Sequence, residues 1–275
     1  LGARQGLSME ENRRTRRTAL LAAGLLCFGT AGASVAGEHD WRASASLNYE
    51  TGRYGTSARS SSLYVPLTLK RVWDDWHASF TVPYVSLTSD GQVTNVGGKP
   101  VKVRGGRGGG AVMTRSGVGD AVLVGGYAIL KEDVEPFDLT AVGRLKLPTA
   151  DKTQGLGTGE FDAGLGLEFG KLVSPGWTLL ADARFTLIGD PPGTDLNDQV
   201  AAGVGVSRLL REDLSLTVLL EGSNALVPGE PGPSDLRAVL DCRLNDRFSL
   251  NGGGMVGLTD GSPDFGLALG AGLRF

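Results

Sequence analysis

From Trp41 onward the apolar residues of this chain recur at every second position, with polar residues or glycine between them. Leu63, Val65, Leu67 and Leu69 form one such run, Phe161, Ala163, Leu165, Leu167 and Phe169 another, and Leu236, Ala238, Leu240, Cys242 and Leu244 a third. Period two is the signature of a strand with two unlike faces, and no stretch after Gly37 shows the i, i+3, i+4, i+7 spacing of an amphipathic helix. The alternation divides the chain into about twelve segments: Trp41–Glu50, Ser62–Arg71, Trp76–Ser86, Gly117–Lys131, Phe137–Pro148, Gly159–Lys171, Trp177–Gly189, Asp198–Leu210, Leu214–Ser223, Asp235–Asn245, Phe248–Leu258 and Asp264–Phe275. Each is close to the length of a tilted strand that crosses a membrane.

The connections alternate as well. Five are tight: Val72–Asp75, Glu132–Pro136, Leu172–Gly176, Arg211–Asp213 and Asp246–Arg247. Those at the opposite ends of the strands are longer and rich in Gly, Pro, Ser or Asp, with Leu87–Ser116 the longest. Trp41, Trp73, Trp76, Trp177, Phe137, Phe169, Phe248 and Phe275 fall at the short-turn end, whereas Tyr49, Tyr84, Phe161 and Phe265 fall near the long-loop end. Short turns on one side, long loops on the other and an aromatic belt at each end predict an all-β fold: a single closed antiparallel transmembrane β-barrel. A soluble sandwich has no need of that asymmetry.

The last segment, "DFGLALGAGLRF", ends the sequence on an apolar alternation. In lipid its backbone N–H and C=O groups need partners, so it is expected to pair with the first strand and close the sheet. Leu269, Leu273 and Phe275 also resemble the C-terminal signal that outer-membrane barrels present to their assembly machinery.

Composition adds three points. Glycine is unusually frequent, 43 of 275 residues, without the period of collagen, which fits crowded strands better than helices. Mean hydropathy is -0.03, too low for a bundle of membrane helices. At the N-terminus a basic patch (Arg13, Arg14, Arg16, Arg17) precedes the apolar run Ala19–Ala31 and the small-residue stretch "GASVAG". That three-part layout reads as a cleavable signal peptide over residues 1–36, starting at Met9, with the barrel over 37–275. Removing it leaves an acidic chain with Cys242 as its one cysteine, and nothing in the charge balance points to nucleic acid.

Two stretches, "SGVGDAVLVGGYAIL" (Ser116–Leu130) and "LKLPTADKTQGLGTGEFDAGLGLEF" (Leu145–Phe169), are similar to a family of outer-membrane β-barrel transporter proteins also described as meta-pathway of phenol degradation proteins. The shared features are Gly117, Gly119 and Asp120 opening a strand, "KLPT" (Lys146–Thr149) closing the next, and a glycine-rich loop leading into another. The resemblance implies an outer-membrane location and uptake of aromatic compounds.

No catalytic arrangement emerges. His39 lies at the expected mature terminus beside Glu38 and Asp40, and His77, alternating with Trp76 and Ala78, faces the lumen without a Ser or Asp at a triad spacing. "GGGMVG" (Gly252–Gly257) matches a phosphate-loop pattern but sits inside a strand with no helix after it. Asp190, Asp195 and Asp198 share a loop but lack the spacing of a calcium loop. No catalytic residue, metal site or cofactor is assigned.

Function should therefore lie in the lumen. The inward positions carry both signs: Lys70, His77, Arg144, Lys146, Arg184, Arg237, Arg243 and Arg274 against Asp120, Asp138, Glu160, Asp162, Glu168, Asp182, Glu221 and Asp241, with Arg144 and Lys146 expected toward Glu160 and Asp162. The loop segment Gly97–Arg115 carries Lys99, Lys102, Arg104, Arg107 and Arg115 without an acid, a candidate plug for the mouth. The pattern predicts an outer-membrane channel or facilitator for a small solute, aromatic or hydrophobic by the family resemblance. The alternatives are a scaffolding barrel that grips a periplasmic or surface partner and, last, a lipid-directed hydrolase. The expected partners are outer-membrane lipid, lipopolysaccharide, the barrel assembly machinery and the solute.

Overall fold

Alternation forces each strand of this protein to present one apolar and one polar or glycine face, and the sheet closes so that the two sets separate. The structure, a computed structural model, describes residues 40–56, 58–96, 98–102 and 111–275. The expected signal peptide, residues 1–36, lies outside the described residues, as do Arg104 and Arg107.

The strands are β1 (Asp40–Gly52), β2 (Ser60–Val72), β3 (Trp76–Ser89), β4 (Val93–Val96), β5 (Lys99–Lys102), β6 (Met113–Val118), β7 (Ala121–Leu130), β8 (Asp138–Leu147), β9 (Asp162–Ser174), β10 (Trp177–Leu187), β11 (Gln199–Arg211), β12 (Leu214–Ser223), β13 (Ser234–Arg243), β14 (Phe248–Gly257) and β15 (Phe265–Arg274). All but β4 and β5 belong to one antiparallel sheet in which β1 pairs with both β2 and β15, so the wall is continuous. Counting β6 and β7 as one interrupted crossing, the barrel has the expected twelve strands.

The seam is made as the chain's end predicts. Ala43 lies opposite Leu273 and Leu47 opposite Leu269, and the Trp41 and Phe275 backbones exchange N–H···O=C bonds of 3.0 and 2.9 Å. On β15, Phe265, Leu267, Leu269, Ala271 and Leu273 face outward, while Gly266, Ala268, Gly270, Gly272 and Arg274 face inward. The same division holds around the wall. Leu165 (74% exposed), Leu269 (66%), Leu67 (57%) and Val204 (55%) stand on the outside, an apolar girdle that no soluble monomer would leave wet. All four tryptophans are exposed at the short-turn end, where the Arg71 guanidinium lies 5.0 Å from the Trp41 ring and Arg208 lies 4.8 Å from that of Trp177. This is the surface of a membrane-spanning barrel.

The fourth crossing differs from its expected span, Gly117–Lys131. It begins earlier and is interrupted at Gly119 and Asp120. Tyr84 is opposite Val118 and Thr81 opposite Val122, so residues 119–121 face only 82 and 83. That is a β-bulge, and its cause is Pro83, which has no N–H to give the ladder; the Pro83 carbonyl instead accepts from the Gly119 N–H at 2.8 Å. The long third connection is also not structureless, because β4 and β5 form a hairpin within it.

Candidate functional site

The two stretches that carry the family resemblance meet at this bulge. The extra residue aims Asp120 into the barrel, where its Oδ1 accepts from the Ala150 N–H at 3.0 Å and its Oδ2 lies 3.7 Å from Lys146 Nζ. Lys146 is 1% exposed; its ammonium also reaches Asp162 at 2.7 Å and donates to Thr158 Oγ at 2.9 Å. Thr149 ties the strand break to the loop: its hydroxyl donates to the Gly119 carbonyl at 2.9 Å and accepts from the Ala121 N–H at 2.8 Å. A buried ammonium is tolerated only when paired and hydrogen-bonded, which two carboxylates and a hydroxyl achieve here. The glycine-rich loop fits because a Cβ on Gly157 would sit 2.5 Å from Asp120 Oδ2. Leu156, 1% exposed, is thereby drawn inside against Val85 and Ala150, with Tyr64 packed at the edge.

Above this anchor the β4–β5 hairpin folds into the mouth. Its turn uses Gly98 at φ +93°, where a Cβ would lie 3.0 Å from the Tyr64 ring, so the turn rests on a lumen side chain of β2. Asn95 Oδ1 accepts from the Gly98 N–H at 3.0 Å, and the Asn95 N–H reaches the Gly155 carbonyl at 3.2 Å. Val93 packs with Tyr54 and Leu87 beneath the surface. Lys102 crosses to the far loops, pairing with Glu230 at 3.0 Å and donating to the Gly55 carbonyl at 3.3 Å.

Between the hairpin and the wall lies a cavity of about 420 Å³. Of the residues expected in the lumen, Lys70, His77, Arg144, Lys146, Asp162, Glu168, Arg184 and Arg237 line it. Glu221 lines it too, within 2.6 Å of Arg237, which also holds Asp235 at 2.7 Å. The others lie elsewhere. Asp120 stands behind Lys146, and Asp182 is buried in the wall 3.4 Å from Arg184. Asp138 accepts from the Glu132 N–H at 2.8 Å in a short turn, Arg243 donates to the Glu212 carbonyl at 3.2 Å, and Arg274 pairs with Asp40 at 2.8 Å, all at the short-turn end. Asp241 is partly buried on β13. Lys146 does meet Asp162, its register partner, but Arg144 faces Gly164, and Glu160 belongs to the loop before β9.

Of the plug candidates, Lys99 and Lys102 line the cavity and Arg115 stands exposed on β6. Leu269, Leu273 and Phe275 are on the lipid face. Asp190 and Asp198 accept backbone N–H bonds from Leu196 and Ile188 that close their loop, and no group of three or more ligands suited to a metal occurs among the described residues. Gly252–Gly257 is part of β14.

The sequence reading overlooked Arg42, Asn48 and Glu50, all cavity-lining on β1. Their signal was available, since each alternates with an outward neighbour, Trp41, Leu47 or Tyr49.

A family described as "Putative MetA-pathway of phenol degradation" matches residues 68–275. The chain belongs to this family. Among solved structures, an outer-membrane channel from Pseudomonas putida F1 is similar with a TM-score of 0.70 at 16% identity, covering 88% of this chain and 97% of that one. The NanC porin follows with a TM-score of 0.53 at 10% identity, covering 84% and 98%, and the translocator domain of the autotransporter NalP from Neisseria meningitidis with 0.51 at 15%, covering 98% of both. Among curated proteins, none matches the sequence. At these identities the likeness establishes the fold, that of an outer-membrane β-barrel.

Proposed function

We propose that the protein is a passive outer-membrane channel for a small solute, with its outer mouth narrowed by the β4–β5 hairpin. The observation that carries this reading is a polar-lined cavity of about 420 Å³ whose wall on the long-loop side is not barrel but loop. A scaffold needs only a filled interior, whereas here side chains of both signs surround free volume. The family description supports an aromatic solute, and so does an apolar stretch of lining formed by Pro66, Val122, Val124 and Val142. Export through the segment 1–36, delivery by the barrel assembly machinery and an outer surface set among lipopolysaccharide belong to the same proposal.

The test is to replace residues 93–110 with a short Gly-Ser linker, reconstitute both proteins and follow liposome swelling in small neutral solutes. The shortened protein is expected to stay folded and to pass solute faster. Equal rates would remove the plug from the proposal, and no passage through either folded barrel would replace the channel by the scaffold.

A further inference from the structure

Most cations that line the cavity have an acid within reach: Lys146 has Asp162, Arg237 has Glu221, Lys102 has Glu230 and Arg184 has Asp182. Lys99, exposed on β5, and Lys70 differ. Lys70 points into the cavity from β2, half-buried, and its ammonium makes no hydrogen bond or ion pair with any described residue. Glu168 lines the same space but does not come within ion-pair distance of it.

Its register partners sharpen the contrast. Arg42 lies directly opposite Lys70 on β1, and Arg274 opposite Arg42 on β15, so three neighbouring strands carry three cations at one level. Asp40 lies 3.7 Å from Arg42 and 2.8 Å from Arg274. Like charges placed opposite each other across strands oppose folding, and a half-buried ammonium with no direct ion pair adds a desolvation cost. An anion held between Lys70 and Arg42 would relieve both.

The surroundings describe the rest of that anion. Beside Lys70 on the lumen face is the Ser79 hydroxyl, its register partner on β3. Val124 lies opposite Ser79, with Val122 two positions further along β7 and Val142 on β8, while Arg144, the register partner of Val124, adds a further cation to this level. A charged point backed by hydroxyl donors and continued by branched aliphatic side chains suits a small ion with a compact apolar body.

Resting on the channel reading above, we propose that the lumen recognises a small apolar monocarboxylate, its carboxylate on Lys70 beside Arg42 and its body on Val122, Val124 and Val142. The probe pair is benzoate and benzyl alcohol, alike in shape and different in charge. Binding to the folded full-length barrel in detergent is measured by calorimetry, and block of KCl current by planar-bilayer recording. The wild type should prefer benzoate by about tenfold or more, the scale of one charge-assisted hydrogen bond. Lys70→Gln should bring the two ligands together, and Lys70→Arg should restore the preference.

Equal binding of the two ligands by the wild type, or a preference that survives in Lys70→Gln, would overturn the site. The wild-type comparison decides the matter even where Lys70→Gln does not fold. The two readings also fail separately: benzoate preference without any current removes the channel and keeps the site, and current without benzoate preference does the reverse.

Discussion

Lys146 ties two strands and a loop together beneath the mouth. Its ammonium, 1% exposed, holds the carboxylates of Asp120, in the break between β6 and β7, and of Asp162 on β9, together with the Thr158 hydroxyl of the loop before β9. Lys146→Met keeps the chain length but leaves Asp120 and Asp162 buried without their cation. Removing one partner of such a cluster should cost about 3–5 kcal/mol. Urea unfolding of the detergent-folded barrel should show it as a lower midpoint, and a midpoint unchanged from wild type would mean that solvent reaches these carboxylates. Part of this cluster was legible in advance. Lys146 and Asp162 are both inward positions on strands joined by one loop, so their meeting follows from alternation alone. Asp120 was legible only as an inward residue, because its approach from the other side depends on one added residue opposite Pro83, a matter of register rather than of pattern.

At the scale of the element, β15 shows how a strand's two faces do separate work. Inward glycines such as Gly270, beside Ser46 and Asn251, let the seam close without crowding, while Leu269, Leu273 and Phe275 meet lipid. Replacing those three by serine removes apolar contact with lipid at about 25 cal/mol per Å² and erases the terminal pattern. The triple variant should fail to insert, seen as loss of the fast-migrating band in unheated gel samples and as degradation in the periplasm. A variant that keeps that band would show that closure by backbone pairing with β1 suffices. The hairpin β4–β5 is an element that alternation did not announce. Its strands are only four residues each, Val93–Val96 and Lys99–Lys102, too short for period two to stand out from a loop. It exists because Tyr64, Leu87 and the Gly155 carbonyl offer it contacts from three distant parts of the chain.

For the whole molecule, the arrangement of connections fixes an orientation. The tight turns at 175–176, 212–213 and 244–247 share one end of the barrel with Asp40 and Arg274, and Ser89, Met113, Leu147 and Asp162, where the long connections leave and return, share the other. In outer-membrane barrels short turns face the periplasm and long loops face outward. Trypsin added to intact cells should therefore cut after Arg104 or Arg107 and spare Arg211 in the turn between β11 and β12. Fragment sizes on a denaturing gel distinguish the two, and cleavage at Arg211 alone would invert the barrel in the membrane.

The sequence by itself determined the strand count, the faces and the closure. Each of these is local: alternation sets which side chains share a face, and lipid leaves no open edge for a backbone to expose. It also determined that both signs of charge would face inward. The tertiary structure decided which charges meet. Barrel closure brings β1 beside β15, placing Arg42 next to Arg274, residues of the first and last strands. The bulge at Gly119 and Asp120 turned a family motif into the anchor of a loop, and loops from three parts of the chain converged to narrow the mouth. Contacts of this kind depend on register and on how loops pack, and neither leaves a period in the sequence.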